Sequence, residues 1–256
     1  MHPSFHHCDV AVDAGVATLC LRNSGALNIL GTAVLRDVQE ALRSQERLGQ
    51  VRAVVLRGSG ERAFSGGADV KEMAGLTPDT AEAFIRELHA ACDAVRRFPA
   101  PVIARIRGFC LGGALELVAA CDLRVAATDA RFAMPEIKMG IPSVIEAALL
   151  PRLVGTGRTA FLVLTGETID ARRAAEWGLV EAVVEPDHLD EEVSRIAALV
   201  ASHGTAAVRS QKVLLREWEE LPLSEAIERS VGAFRAAYGS GEPQRFMRAF
   251  LERKRR

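Results

Sequence analysis

The chain has 256 residues, 49% of them hydrophobic, which suffices for one large α/β domain, or one domain with a helical appendage, and argues against two unrelated domains. Its 32 lysines and arginines nearly balance 33 aspartates and glutamates, leaving a net charge of −1 that excludes nucleic acid as a default partner. No apolar run, such as that around Ala147–Leu150, approaches bilayer length, and Met1–Cys8 lacks the hydrophobic segment of a signal peptide, so a soluble cytoplasmic protein without membrane association is expected.

Val10–Arg22 alternates around Asp13-Ala14-Gly15 and predicts an opening hairpin. A helix follows, with Thr32 as N-cap, Val34, Leu35, Val38, Leu42 and Leu48 on one face, and Gly49 as its stop. Val51–Leu56 reads as a buried strand and Gly58–Asp69 as a glycine-rich loop. Thr77-Pro78 opens a helix to about Arg97, which Pro99-Ala-Pro101 ends before a strand at Val102–Ile106. A helix over about Gly112–Ala120 and a short strand at Leu123–Ala126 continue a β-α-β pattern, so the fold class is α/β with a parallel sheet. From Asp187 onward the pattern is helical. The expected division is therefore an α/β core over 1–186 and a C-terminal helical lobe over 187–256, ending in the charged run Arg253–Arg256.

The five cysteines, Cys8, Cys20, Cys92, Cys110 and Cys121, are scattered among apolar residues and read as reduced thiols in or near the core. His6-His7 is the one histidine cluster, and no spacing suggests a metal site, so no metal is expected. Gly58-Ser59-Gly60-Glu61-Arg62-Ala63 has the G-x-G-x-x-A form of a dinucleotide loop, but Phe64-Ser65-Gly66-Gly67 interrupts the helix such a loop must open, and the reading is rejected. No G-x-S-x-G occurs, so Ser59, Ser65 and Ser143 read as loop hydroxyls rather than nucleophiles.

Two loops carry the functional signal, Ala63-Phe64-Ser65-Gly66-Gly67-Ala68-Asp69-Val70-Lys71-Glu72-Met73 and Arg107-Gly108-Phe109-Cys110-Leu111-Gly112-Gly113-Ala114-Leu115-Glu116. Each follows a strand, and their small residues let a ligand carbonyl approach the backbone. The second leads into a helix N-terminus with free N–H groups. Either loop alone could be a tight glycine turn; two donors facing one point would make an oxyanion hole. Glu116, among Leu115, Leu117, Val118 and Ala119, would be expensive to bury unpaired. It is either ion-paired to Arg105 or Arg124 or is a site carboxylate. Glu136, also in an apolar stretch, is either a turn carboxylate after Pro135 or a site group.

With these residues in place, the sequence resembles the enoyl-CoA hydratase/isomerase (crotonase) family, whose F-x-x-G-x-D-[IVL] and G-x-x-x-G-G-x-x-E patterns both loops meet. Ala26-Leu27-Asn28, Pro135-Glu136 before Gly140-Ile141-Pro142, Leu164-Thr165-Gly166 and Ala174–Val180 extend the likeness over nearly the whole chain. The resemblance implies a crotonase-like fold of repeated β-β-α units and puts oxyanion donors at the N–H groups of Ala68 and Gly113. It implies Glu116 as principal base and Glu136 as principal acid of a trans-2-enoyl-CoA hydratase. Lys71, Ala26, Phe250 and Arg253 fall on coenzyme A-contacting positions, the last two toward a neighbouring subunit of a homotrimer or homohexamer. No cofactor is implied beyond the coenzyme A of the acyl-CoA substrate.

The sequence departs from the family where Ser143-Val144-Ile145-Glu146-Ala147 replaces a longer stretch of the G-I-I-P-G-A-G-G type, so the wall near the acyl group should differ. Glu146 is expected to cap a helix rather than add a third carboxylate. Alternative functions on the same oxyanion hole are isomerisation, decarboxylation and thioester hydrolysis, and a further one is non-catalytic acyl-CoA binding, against which the presence of both glutamates weighs.

Overall fold

In the computed structural model, which describes residues 5–22, 25 and 27–253, the opening hairpin pairs β1 (Cys8–Asp13) with β2 (Val16–Leu21). Ala14 and Gly15 both take positive φ between them, as the twist of a two-residue hairpin requires. Helix α1 (Thr32–Leu48) buries Val34, Leu35, Val38 and Leu42 of the predicted face but leaves Leu48, in its last turn, exposed, and it ends at Gly49 in the left-handed region. Its N-cap is Gly31, not Thr32. Thr32 is the first helical residue, and its N–H donates to Glu72 Oε2 at 3.0 Å, so a carboxylate remote in sequence covers the helix start.

Strand β3 (Ala53–Gly58) begins two residues after the expected Val51, because Arg52 N–H is still held by Gly15 O and pairing with β2 starts at Ala53. The expected loop over 58–69 contains a buried strand, β4 (Ala63–Ser65), where a dinucleotide-binding segment would open a helix. Short α2 (Val70–Met73) precedes α3 (Pro78–Arg97), whose start is closed by reciprocal bonds between Thr77 and Thr80. Strands β5 (Val102–Ile106) and β6 (Phe109–Leu111) lead to the wholly buried α4 (Gly113–Ala119). Strands β7 (Leu123–Ala127) and β8 (Arg131–Ala133) lead to 3₁₀ turns at Pro135–Met139 and Ile145–Leu149. Helices α5 (Leu150–Val154) and α6 (Thr156–Thr165), strand β9 (Ile169–Asp170), helix α7 (Ala171–Trp177) and strand β10 (Ala182–Val184) complete the two sheets.

Each pair β3/β4, β5/β6 and β7/β8 sends its first strand to a six-stranded sheet, order β1-β2-β3-β5-β7-β10, and its second to a four-stranded sheet, order β4-β6-β8-β9. The expected repetition of two strands and a helix is thus observed, and all neighbours are parallel except β1/β2 and β8/β9. The main core joins α1, α3 and α4 to the sheets through Leu35, Leu88, Ile106, Leu115 and Phe132. Helix α8 (Leu189–Ser202) lays Leu189, Val193 and Ala197 on the other face of the large sheet, against Ala53, Ile103 and Val125.

Helices α9 (Thr205–Glu220), α10 (Leu223–Tyr238) and α11 (Glu242–Arg253) follow. Ala226, read from the sequence as apolar surface, is buried, whereas Ile227, Val231, Phe234, Phe246, Phe250 and Leu251 are exposed on the isolated chain. Among the described residues, no helix is long and apolar enough to cross a membrane.

Candidate active site

The first loop is shaped by Asn28, a buried residue at φ +47 whose Nδ2 donates to the carbonyls of Ser59, Ala63 and Phe64. That brace holds the β3–β4 connection while Gly66 N–H bonds to Leu27 O and Leu30 N–H to Gly67 O. Gly67, at φ +92, lets the loop pass within contact of the second: a Cβ there would lie 2.4 Å from Leu111 O. Asp69 caps α2, accepting from the N–H groups of Lys71 and Glu72.

In the second loop a Cβ on Gly112 (φ +54) would lie 2.2 Å from Glu136 Oε1, and one on Gly113 would lie 3.8 Å from the backbone nitrogen of Ala68. The nitrogens of Ala68 and Gly113 are therefore near neighbours across the two loops. Neither N–H donates a hydrogen bond among the described residues, the bridge between Leu30 and Ala68 using the groups of Leu30, Gly67 and Asp69 instead. Two unspent donors at one place are what an oxyanion needs.

Glu116 is 3% exposed and is not paired to either arginine proposed from the sequence. Arg105 pairs with Asp190 and Arg124 with Glu181. The Glu116 carboxylate instead accepts the Ala147 N–H at 3.3 Å. Burial, then the neighbouring charge of Glu136 and more weakly that of Glu146, pushes its pKa up to about 8, against the pull of the Ala147 and Val144 N–H groups. Glu136, half-buried on the turn after β8, is also raised by burial, offset by its own backbone N–H and by Ser143, whose hydroxyl donates to it at 3.1 Å. Ser143 is thus a loop hydroxyl, as expected, but one that orients a carboxyl group.

Ala68, Gly113, Glu116 and Glu136 line one cavity of about 650 Å³. Its apolar walls come from Met73 at the end of α2 and Leu76 after it, from Phe84, Ile85 and Leu88 on α3, from Ile141 and Pro142, and from Val144 in the stretch that departs from the family pattern. Lys71 is exposed on α2 and is not among the lining residues. Phe250 and Arg253 lie on exposed α11, outside this cavity of their own chain. Ala26 lies outside the described residues.

Two residues of the site region carry roles that the sequence did not signal. Glu146, expected as a solvated cap, is 7% exposed and contacts His89 Nδ1 at 2.8 Å. The third carboxylate therefore belongs to the site's surroundings. Its partner sits 57 positions away, and no spacing in the sequence pointed to the pair.

A sequence profile of the enoyl-CoA hydratase/isomerase family matches residues 11–256. Crotonyl-CoA hydratase of Syntrophomonas wolfei is 33% identical over 241 residues, covering 94% of this chain and 93% of that protein. Short-chain-enoyl-CoA hydratase of Clostridium acetobutylicum is 32% identical, covering 94% and 92% respectively. The crystal structure of enoyl-CoA hydratase from Bacillus anthracis superposes with a TM-score of 0.93 at 33% identity, covering 97% of each chain. That of the Mycobacterium smegmatis enoyl-CoA hydratase does so with a TM-score of 0.93 at 34% identity, covering 96% of each.

Proposed function

The chain belongs to the enoyl-CoA hydratase/isomerase family and is an enoyl-CoA hydratase acting on acyl-CoA thioesters, and on that footing we propose which of its residues carry the reaction. The thioester oxygen of a trans-2-enoyl-CoA accepts the N–H groups of Ala68 and Gly113, which draws electron density from the β-carbon. Water held between Glu116 and Glu136 attacks that carbon; Glu116 takes the water proton as the C–O bond forms, and the π electrons collect as enolate charge at the oxyanion site. Glu136 then delivers a proton to the α-carbon, and proton exchange between the carboxyls restores the starting state. Both carboxyls are shifted upward, Glu116 to about 8, which supports a pair that keeps one proton near neutrality and titrates as a unit. The arrangement in which Glu116 is the ionised base and Glu136 the acid is the reactive one of that shared proton, reached when the proton passes from Glu116 to Glu136.

The observation that carries this assignment is the meeting of two unspent backbone donors and two elevated carboxyls on one apolar cavity. Incubation with crotonyl-CoA tests it: the conjugated thioester absorbance should fall as a product heavier by one water appears. A shifted double bond, loss of carbon dioxide or release of free coenzyme A would identify isomerase, decarboxylase or hydrolase chemistry instead. Tight binding without turnover would identify a non-catalytic acyl-CoA-binding protein.

The same reading gives Lys71 and Ala26 contacts to coenzyme A and makes the protein a homotrimer or a dimer of trimers. There Phe250 and Arg253 reach the coenzyme A site of a neighbouring subunit. The exposed apolar row Leu223, Ile227, Val231 and Phe234 supports assembly, being more apolar surface than an isolated helical lobe leaves in water. The chemistry requires no cofactor beyond the substrate's coenzyme A. A cytoplasmic setting suits the five cysteines, all free thiols.

A further inference from the structure

Glu146 is a buried carboxylate that the proposed chemistry leaves unused. Its Oε1 meets His89 Nδ1 at 2.8 Å, the Cys92 thiol lies beside the carboxylate, and its Oε2 is buried with no partner at hydrogen-bond geometry among the described residues. Among the described residues His89 is the one group able to carry positive charge that pairs with it, and that imidazole is 52% exposed. A buried carboxylate is costly unless paired, so the state of this pair answers to solvent through His89. The next residue along, Ala147, supplies the N–H that Glu116 accepts at 3.3 Å. The preceding one, Ile145, sits at φ +41, a left-handed conformation costly for a β-branched side chain that persists only where its surroundings hold it.

We propose that His89 and Glu146 form a positioning pair for Glu116: their contact ties the turn carrying the Ala147 N–H to α3, and their charge sets the pH at which Glu116 exchanges its proton. This rests on the reading of Glu116 as a proton-transfer group. The titratable groups facing Glu146 are His89 and Cys92 from α3 and Glu116 from α4, with Glu136 beyond Glu116 on the turn after β8. With a proton on His89, the charge of Glu146 is offset. Without it, a bare carboxylate stands beside a second one, and like charge opposes ionisation of Glu116.

Opposite substitutions must then act in opposite directions. In Glu146→Gln the shape stays and the charge goes, so Glu116 ionises more easily. In His89→Gln the offsetting cation goes, so Glu116 ionises less easily. The experiment follows the ¹³C signal of the Glu116 carboxyl with pH in the full-length protein without added ligand, together with the pH profile of crotonyl-CoA hydration and a circular dichroism check of folding. The expected result is a Glu116 midpoint lowered by about half a pH unit or more in Glu146→Gln and raised comparably in His89→Gln, with the acid limb of the rate profile moving the same way. The double variant should follow Glu146→Gln, because without the carboxylate the cation has nothing to offset. Shifts of the same sign, or reduced rates with an unmoved midpoint, would overturn the proposal and leave the pair a packing feature. Carboxyl shifts as expected with an unmoved rate profile would support the pair while counting against the role of Glu116 in hydration.

Discussion

Glu136 Oε1 occupies the space where a side chain at Gly112 would begin, 2.2 Å from the position of its Cβ. Only glycine, which also tolerates φ +54 there, lets the proposed acid approach the second loop so closely. Gly112→Ala should displace the carboxyl by about an ångström and lower kcat by about 10²-fold, with a smaller change in KM. Steady-state kinetics beside a thermal melt check this; near-normal turnover in a folded variant would mean that the position of Glu136 is not critical.

Glu116→Gln and Glu136→Gln should each lower turnover by about 10²-fold or more while acyl-CoA binding changes little, because each removes a proton-transfer group and keeps its shape. The double variant should lose less than the product of the two, since the carboxyls act on one water. Single-turnover rates and thioester titrations decide the matter. Normal hydration by either single variant would refute the two-carboxyl mechanism.

Ala68→Pro deletes an N–H that has no partner among the described residues, so no native hydrogen bond is sacrificed. The expected loss is about 10²- to 10³-fold in kcat, the scale of an oxyanion donor. A folded variant with full activity would exclude Ala68 from that role.

Glu116 carries a signed prediction for stability. Its pKa in the folded chain, about 8, stands above the ordinary 4.5, so the folded state holds the proton more tightly than the unfolded one. That contribution is fully present below about pH 4.5 and is lost as pH rises through about 8, each tenfold difference in proton affinity being worth ~1.4 kcal/mol. Glu116→Gln never ionises and should gain in melting temperature relative to the parent protein across that window. Melting curves at intervals of pH test this, and a constant difference would show that Glu116 does not titrate there.

Light scattering should find a trimer or hexamer at micromolar concentration, and a fully active monomer would rule that assembly out. Arg253→Ala should weaken binding of coenzyme A thioesters and leave unchanged the binding of a thioester lacking the nucleotide, as expected of a phosphate contact. Equal loss with both ligands would place Arg253 elsewhere.

Much of this was legible in the amino-acid order because local physics enforces it. Thr77-Pro78 and Pro99-Ala-Pro101 bound α3 wherever it packs, since caps and prolines act over a few residues. Gly49 ends α1 for the same reason. A glutamate in a wholly apolar helix announced that Glu116 needed a partner or a purpose, but which one depended on neighbours far along the chain. Arg105 and Arg124 turned away to Asp190 and Glu181 because α8 and the segment before β10 lie against their strands.

What the sequence by itself determined was the layered α/β class, the two glycine loops and the carboxyls at Glu116 and Glu136, all signalled by residue type within short windows. The tertiary structure alone decided the three-residue strands β4, β6 and β8, which are too short to show a period and exist through pairing with one another. It also decided the Glu72 carboxylate over the start of α1 and the contact of Glu146 with His89. These depend on pairs 40 and 57 positions apart, and a carboxylate's partner is chosen by the element that folding brings beside it, which no local pattern encodes.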